Sequence, residues 1–230
     1  MFDGKMKAIT FSYDDGITQD IRLVELFNKY GVKATFNINS ELLGKDGELN
    51  IQGIKVGHNK LSPAEIKDVY DGHEVAVHTL THPRLQDIED DNEIIRQIEE
   101  DRKNLEKLVG YKVCGMAYPY NGRDADRVAA IIREHTAVKY ARTTNSTLNF
   151  DLQDNLYQFN PTIHHADYDN LFKLGEEFVN LKPDSPKVFY IWGHSYEFDA
   201  FDDWDKFEDF LKLISGKDDI FYGTNREVLL

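Results

Sequence analysis

The 230-residue chain has a single cysteine, Cys114, which excludes an intrachain disulfide framework and any multi-thiolate metal site. Positive charge is scarce: 27 Lys and Arg stand against 41 Asp and Glu, a formal net charge of -14 with His neutral. Binding to a phosphate backbone rests on dense Lys and Arg, so no nucleic-acid partner is expected, and an anionic membrane surface is equally disfavoured. No segment approaches the roughly 18 consecutive apolar residues of a membrane span. The N-terminus shows no basic stretch leading into an apolar one, so no signal peptide is visible. A cytoplasmic location is therefore expected, although a secreted chain trimmed of its signal would look the same. What remains is 41% hydrophobic and 12% aromatic, a globular composition. A single catalytic domain over residues 1–230 is expected, since one α/β unit of this size buries a sizeable core unaided.

Strand-like and helix-like stretches alternate along the chain. Residues 7–13 (KAITFSY), 32–38 (VKATFNI), 74–80 (EVAVHTL), 112–117, 138–141, 187–192 (KVFYIW) and 220–222 read as strands. Between them, helical spacing appears after Thr18 up to Gly31, after Ser62-Pro63, and over 90–109, 124–134, 169–181 and 201–214. Residues 44–59 are glycine-rich and read as an insertion or hairpin, while residues 142–167 are the least readable part. This order predicts parallel strands with crossover helices, an α/β architecture that places chemistry at the C-terminal ends of strands.

Unusual polar residues stand at four such ends: Asp14-Asp15-Gly16, His78 with His82, Tyr118-Pro119-Tyr120, and His194. Asp15, His78 and His82 form a two-imidazole, one-carboxylate set, which leaves a divalent ion open positions for water and substrate. Alone, Asp-Asp-Gly is equally a tight turn, and two histidines four apart are often incidental. Pro83 is expected to hold His82 extended. Asp14 is a candidate general base, or else a partner of a ligand histidine. His194 ends an apolar strand and can act as general acid on a leaving amine, although a lone histidine there is as readily a core residue. His164 and His165 read as surface residues by default, and Cys114 as a buried, inert strand residue.

Residues 9–16 (ITFSYDDG), 78–83 (HTLTHP), 117–120 (AYPY) and 190–194 (YIWGH) resemble, in order and spacing, the motifs of the polysaccharide deacetylase family, carbohydrate esterase family four, with its NodB-homology domain. The resemblance spans nearly the whole chain. It implies a distorted (β/α) barrel, usually of seven strands, and metal-dependent removal of acetyl groups from N-acetylated carbohydrates, with water on the ion attacking the acetamide carbonyl. By position, Asp14 resembles the catalytic base, and Asp15, His78 and His82 the metal triad. Tyr120 resembles the residue whose backbone N–H stabilises the oxyanion. His194 resembles the acid that protonates the departing amine. The implied cofactor is a divalent ion, Zn2+ foremost, with Co2+, Ni2+ or others as substitutes.

Three departures stand out. Ala117 occupies the place of the third motif's arginine; Arg142, just past residues 138–141, is the candidate to supply that cation from another strand end, against the plain reading of a surface arginine. The Asp-x-x-Asp-Trp motif does not precede His194, which leaves Asp167 and Asp169 as candidates for the carboxylate that tunes it. Trp192 stands where the family has a small aliphatic residue lining the acetyl pocket, which implies a tight or reshaped pocket. Rival readings are a cyclic amide or ureide hydrolase of the allantoinase kind, an O-acetyl esterase, and a carbohydrate-binding protein without catalysis.

Overall fold

The structure, a computed structural model, describes residues 2–122 and 125–230. In chain order its strands and helices begin β1 (Lys7–Asp14), α1 (Asp20–Tyr30), β2 (Ala34–Ile38), β3 (Glu48–Ile51), β4 (Ile54–Gly57), α2 (Ile66–Val69), β5 (Glu74–Val77), α3 (Asp91–Val109) and β6 (Gly115–Ala117). They continue with α4 (Asp126–His135), β7 (Tyr140–Arg142), β8 (Ile163–His164), α5 (Tyr168–Asn180), β9 (Lys187–Gly193), α6 (Tyr196–Phe201), α7 (Trp204–Ile214), β10 (Ile220–Tyr222) and α8 (Asn225–Leu229).

Seven parallel strands run in the order β7-β6-β5-β2-β1-β9-β8, and β10 adds an eighth beside the start of β1. The ring closes through the segment that leads into β8. Phe159 N–H donates to Ala141 O of β7 and its carbonyl accepts from Thr143 just past that strand, each at 2.9 Å, and Thr162 N–H donates at 2.8 Å to Tyr190 O of β9. The result is a distorted (β/α) barrel.

β1 is buried along its whole length, as an interior parallel strand should be. Its two faces differ in kind, following the period of two along a strand. Ile9, Phe11 and Tyr13 pack outward against the helix layer, with Phe11 4.9 Å from Phe27 and 6.3 Å from Phe207. Thr10, Ser12 and Asp14 face the other way into a polar column inside the barrel. There Asn225 Nδ2 donates to Thr10 Oγ1 and Asn37 Nδ2 donates to Ser12 Oγ, each at 2.8 Å. A small apolar cluster of Phe2, Ala8, Phe159, Val188, Tyr190 and Val228 packs around the start of the same strand.

Several local expectations shift. α4 begins at Asp126; the predicted start at Asp124 lies outside the described residues. Thr18 does not cap α1; instead Asp20 of the first turn accepts the Ile17 N–H at 3.2 Å. Cys114 is half-buried and immediately precedes β6. The glycine-rich stretch is the antiparallel hairpin β3–β4. α6, which lies between His194 and Trp204, was not anticipated. Among the described residues, no helix is long and apolar enough to cross a membrane.

Candidate active site

The C-terminal ends of the strands open into a cavity of about 460 Å³. Asp14, Asp15, His78, His82, Tyr120, Trp192 and His194 line it, with Leu49 from the hairpin, His58 just past it and Tyr196 from α6. The backbone is bent where these side chains meet. Asp15, Thr79, His82 and Tyr120 all have φ between +61° and +88°, a conformation costly for residues with a Cβ and concentrated at functional sites. The left-handed turn at Asp15 and Gly16 brings consecutive aspartates to one cavity, although strand residues i and i+1 face apart. His82 is therefore not extended as Pro83 suggested. Its N–H bonds Thr79 Oγ1 at 3.1 Å, closing a tight turn that swings its ring to 4.8 Å from that of His78.

Asp14 is buried and gripped. Arg142, itself fully buried, sets Nη2 2.5 Å from both Asp14 oxygens, and its Nε donates to Ser12 Oγ at 3.1 Å. Asn37 Nδ2 donates to Asp14 Oδ1 at 2.8 Å. The Trp192 ring covers the guanidinium, with Arg142 Cζ 4.6 Å from its centroid, and so shuts water away from the ion pair. Burial would raise the Asp14 pKa; Arg142, with His78 and His194, outweighs it and holds the carboxyl below its ordinary value. Arg142 is thus no surface arginine.

Ligand atoms of Asp15, His78 and His82 lie within 4.8 Å of one another. The His78 tautomer is set by its surroundings: a carbonyl only accepts, so Nδ1–H donates to Ala117 O at 2.9 Å and the Nε2 lone pair is left free. α3 fixes the strand end, because the buried Asp101 carboxylate accepts the N–H of His78 at 3.1 Å and of Ser40 at 2.7 Å. Burial lowers the pKa of His78, and burial next to His78 lowers His82 to about 4, so both rings are neutral near pH 7. Burial would raise Asp15; the hydrogen bond from His58 and the Lys60 cation dominate and hold it well below its ordinary range. A carboxylate and two neutral imidazoles in this proximity fit a divalent cation.

On the opposite wall, His194 sits 3.9 Å (Nε2) from Asp14 Oδ2. Its partner is Glu197, in the first turn of α6: Oε2 lies 3.4 Å from His194 Nδ1 and accepts the His194 backbone N–H at 3.0 Å. Asp167 and Asp169 are exposed, and Asp167 caps α5 instead. Burial would lower the His194 pKa; the Glu197 carboxylate, with Asp15 and Asp14 behind it, pushes it up to about 9. His164 and His165 are not surface residues. His165 is fully buried, stacked between Tyr13 and Phe198 at 5.5 and 4.3 Å, and its ring lies so close over Gly193 that a Cβ there would be 2.0 Å from Nδ1. Both histidines approach Glu197, His164 Nε2 at 3.3 Å and His165 Nε2 at 3.4 Å. This second group of ligand types gathers three imidazoles within 3.4 Å of one carboxylate. Ala166 N–H donates to His164 Nδ1 at 3.2 Å, so His164 Nε2 carries the proton and points it at Glu197.

Sequence reasoning missed Glu197, His58, Lys60 and Asn37. Only Glu197 carried a signal, lying three residues beyond His194 at the start of a helix.

A parallel (β/α) barrel thus carries a carboxylate–imidazole cluster and an ion-paired aspartate at the C-terminal rim of its strands. Residues 3–138, more than half of the chain, match the polysaccharide deacetylase family, and the chain belongs to it. No curated protein matches the chain. Among solved structures, the Streptococcus pyogenes deacetylase PplD is 22% identical, over 65% of this chain and 61% of that one, with a TM-score of 0.52. BA3943 of Bacillus anthracis, a pseudoenzyme of carbohydrate esterase family four, is 19% identical over 97% and 66%, with a TM-score of 0.57. T48 deacetylase, solved with substrate, is 16% identical over 100% and 93%, with a TM-score of 0.62. The chain therefore spans less than two thirds of the length of the first two. At these identities the likeness establishes the fold.

Proposed function

We propose that the protein is a metal-dependent deacetylase that hydrolyses the acetamide bond of an N-acetylated carbohydrate. The observation that carries this reading is the Arg142-paired Asp14 carboxylate standing between the Asp15–His78–His82 cluster and His194, all lining one cavity. Asp15, His78 and His82 hold the cation, with Zn2+ the first choice for this donor set. Bound there, a divalent ion supplies Lewis acidity, polarising the substrate carbonyl and lowering the pKa of water towards about 7.

The remaining work belongs to the chain. Asp14, kept ionised by Arg142, takes a proton from the attacking water. The backbone N–H of Tyr120, a residue of left-handed φ on the cavity rim, is the donor assigned to the developing oxyanion. His194, protonated under the influence of Glu197, gives its proton to the leaving amine. Trp192 keeps water from the Asp14–Arg142 pair and narrows the acyl side of the cavity. The test is a panel of N-acetylated oligosaccharides, O-acetylated sugars and cyclic imides, read by acetate release or ring opening, with and without chelator. Chelator-sensitive acetate release from the N-acetyl substrates is expected. Turnover confined to another arm reassigns the substrate, and oligosaccharide binding without turnover in any arm contradicts catalysis.

A further inference from the structure

The extended arm that follows β4 crosses beside β1. Thr18 N–H donates to Asn59 O at 2.9 Å and Leu61 N–H to Gly16 O at 3.0 Å, clamping this arm against the turn that carries Asp15. In an extended segment, residues two apart face the same way. His58 and Lys60 obey this rule, and both meet Asp15. Lys60 Nζ donates to the Asp15 backbone carbonyl at 2.8 Å, and His58 Nε2 lies 3.1 Å from Asp15 Oδ2. The His58 ring is braced edge-on against Tyr196 of α6, with centroids 5.3 Å apart. The two Asp15 oxygens are thereby made unequal. Oδ2 is taken by His58, while Oδ1 faces His82 Nε2 at 3.8 Å and has the Lys60 ammonium 3.4 Å away.

We propose that His58 is a positioning residue for the metal ligand Asp15: its Nε2–H ties up Oδ2, so that Oδ1, the oxygen on the His82 side, is the one left to join His78 and His82 around a cation. This rests on the metal-dependent reading above. A carboxylate is an acceptor only, so the 3.1 Å contact requires the proton on His58 Nε2. The ring therefore serves as a donor to the ligand and does not itself bind the ion. A hydrogen bond to a ligating carboxylate fixes its rotamer and its denticity, and losing such a partner typically costs about 10–100-fold in metal affinity. The β3–β4 hairpin thus has a role beyond lining the cavity with Leu49, because its return arm delivers the group that orients the ligand.

The test compares the wild-type protein, stripped of metal, with His58→Phe, which keeps a ring without a donor, and His58→Gln, which keeps a donor. Zn2+ affinity is read by competition with a chromogenic chelator, and ligand geometry from the visible absorption of the Co2+-loaded protein. Thermal melts of the metal-free forms check folding. His58→Phe is expected to bind Zn2+ about 10–100-fold more weakly with an altered Co2+ spectrum, and His58→Gln to recover most of the affinity. Wild-type affinity and spectrum in a folded His58→Phe overturn the inference while leaving the metal-dependent reading intact. Equal loss in both variants also overturns it, since the donor is then not what matters. Absence of Zn2+ binding by the wild-type protein defeats the underlying reading itself.

Discussion

The two walls of the cavity are built on opposite principles. On the wall formed by β1, β5 and β7, each group is held by a partner of matched charge or hydrogen-bonding sense: Arg142 on Asp14, His58 and Lys60 on Asp15, the Ala117 carbonyl on His78. Its carboxyls are held low and its histidines neutral. On the wall formed by β8, β9 and α6, a single carboxylate, Glu197, serves His164, His165 and His194 together. There the histidine that faces Asp14 is pushed up to about 9. One rim thus holds Asp14, Asp15, His78 and His82 in their deprotonated forms and His194 in its protonated form. Environment, more than residue type, divides the roles.

The comparison breaks most severely at Asp14. Replacing it with Asn removes the acceptor for the water proton and should lower kcat by about 10²–10⁴-fold, while the metal content of the purified variant stays that of the wild type. A variant that keeps wild-type turnover shows that the base lies elsewhere. Next in size is Arg142→Ala, which leaves the buried Asp14 charge without its cation. Stripping one partner from a buried pair costs about 3–5 kcal/mol, to be read from the denaturant midpoint; an unchanged midpoint means that the guanidinium does not hold Asp14 in solution.

The acid wall is sharpened by pH. A histidine with a raised pKa is protonated below that value and loses its proton as pH rises through it. If His194 is the acid, kcat/KM should fall on the alkaline side near pH 9. Glu197→Gln removes the carboxylate responsible for the lift, so the limb should move down towards the ordinary histidine value of about 6.5. An alkaline limb that stays in place in Glu197→Gln assigns the titration to another group. The smallest effect is at Tyr120, a residue 62% exposed on the rim. Tyr120→Ala should raise KM for an oligosaccharide several-fold while leaving stability within about 0.5 kcal/mol, because the backbone donor remains and little packing is lost.

How much of this was readable beforehand also differs between the walls. The strands announced themselves through apolar runs that end in Asp14-Asp15-Gly16, His78 and His194, since a parallel strand buried on both faces has few other ways to be written. Arg142 was a candidate because a site with two aspartates needs a compensating cation, and the structure sets its guanidinium against Asp14. For the partner of His194 the sequence offered Asp167 and Asp169 upstream, whereas Glu197 stands one helical turn downstream in a helix with no clear sequence signal. His58 and Lys60 had no local signal at all, because their approach to Asp15 depends on where a hairpin lands. The left-handed turn at His82 overrode the extended conformation suggested by Pro83, through the hydrogen bond that Thr79 Oγ1 accepts.

The account rests on Asp15, His78 and His82 sharing one cation. Elemental analysis of the purified protein, beside its His82→Ala variant and after reloading each metal-free form with Zn2+, reads this directly. About one divalent ion per wild-type chain, chelator-labile and lost in His82→Ala together with acetate release, is the predicted result. A wild-type chain that takes up no ion, or a His82→Ala chain that retains it, contradicts the assignment.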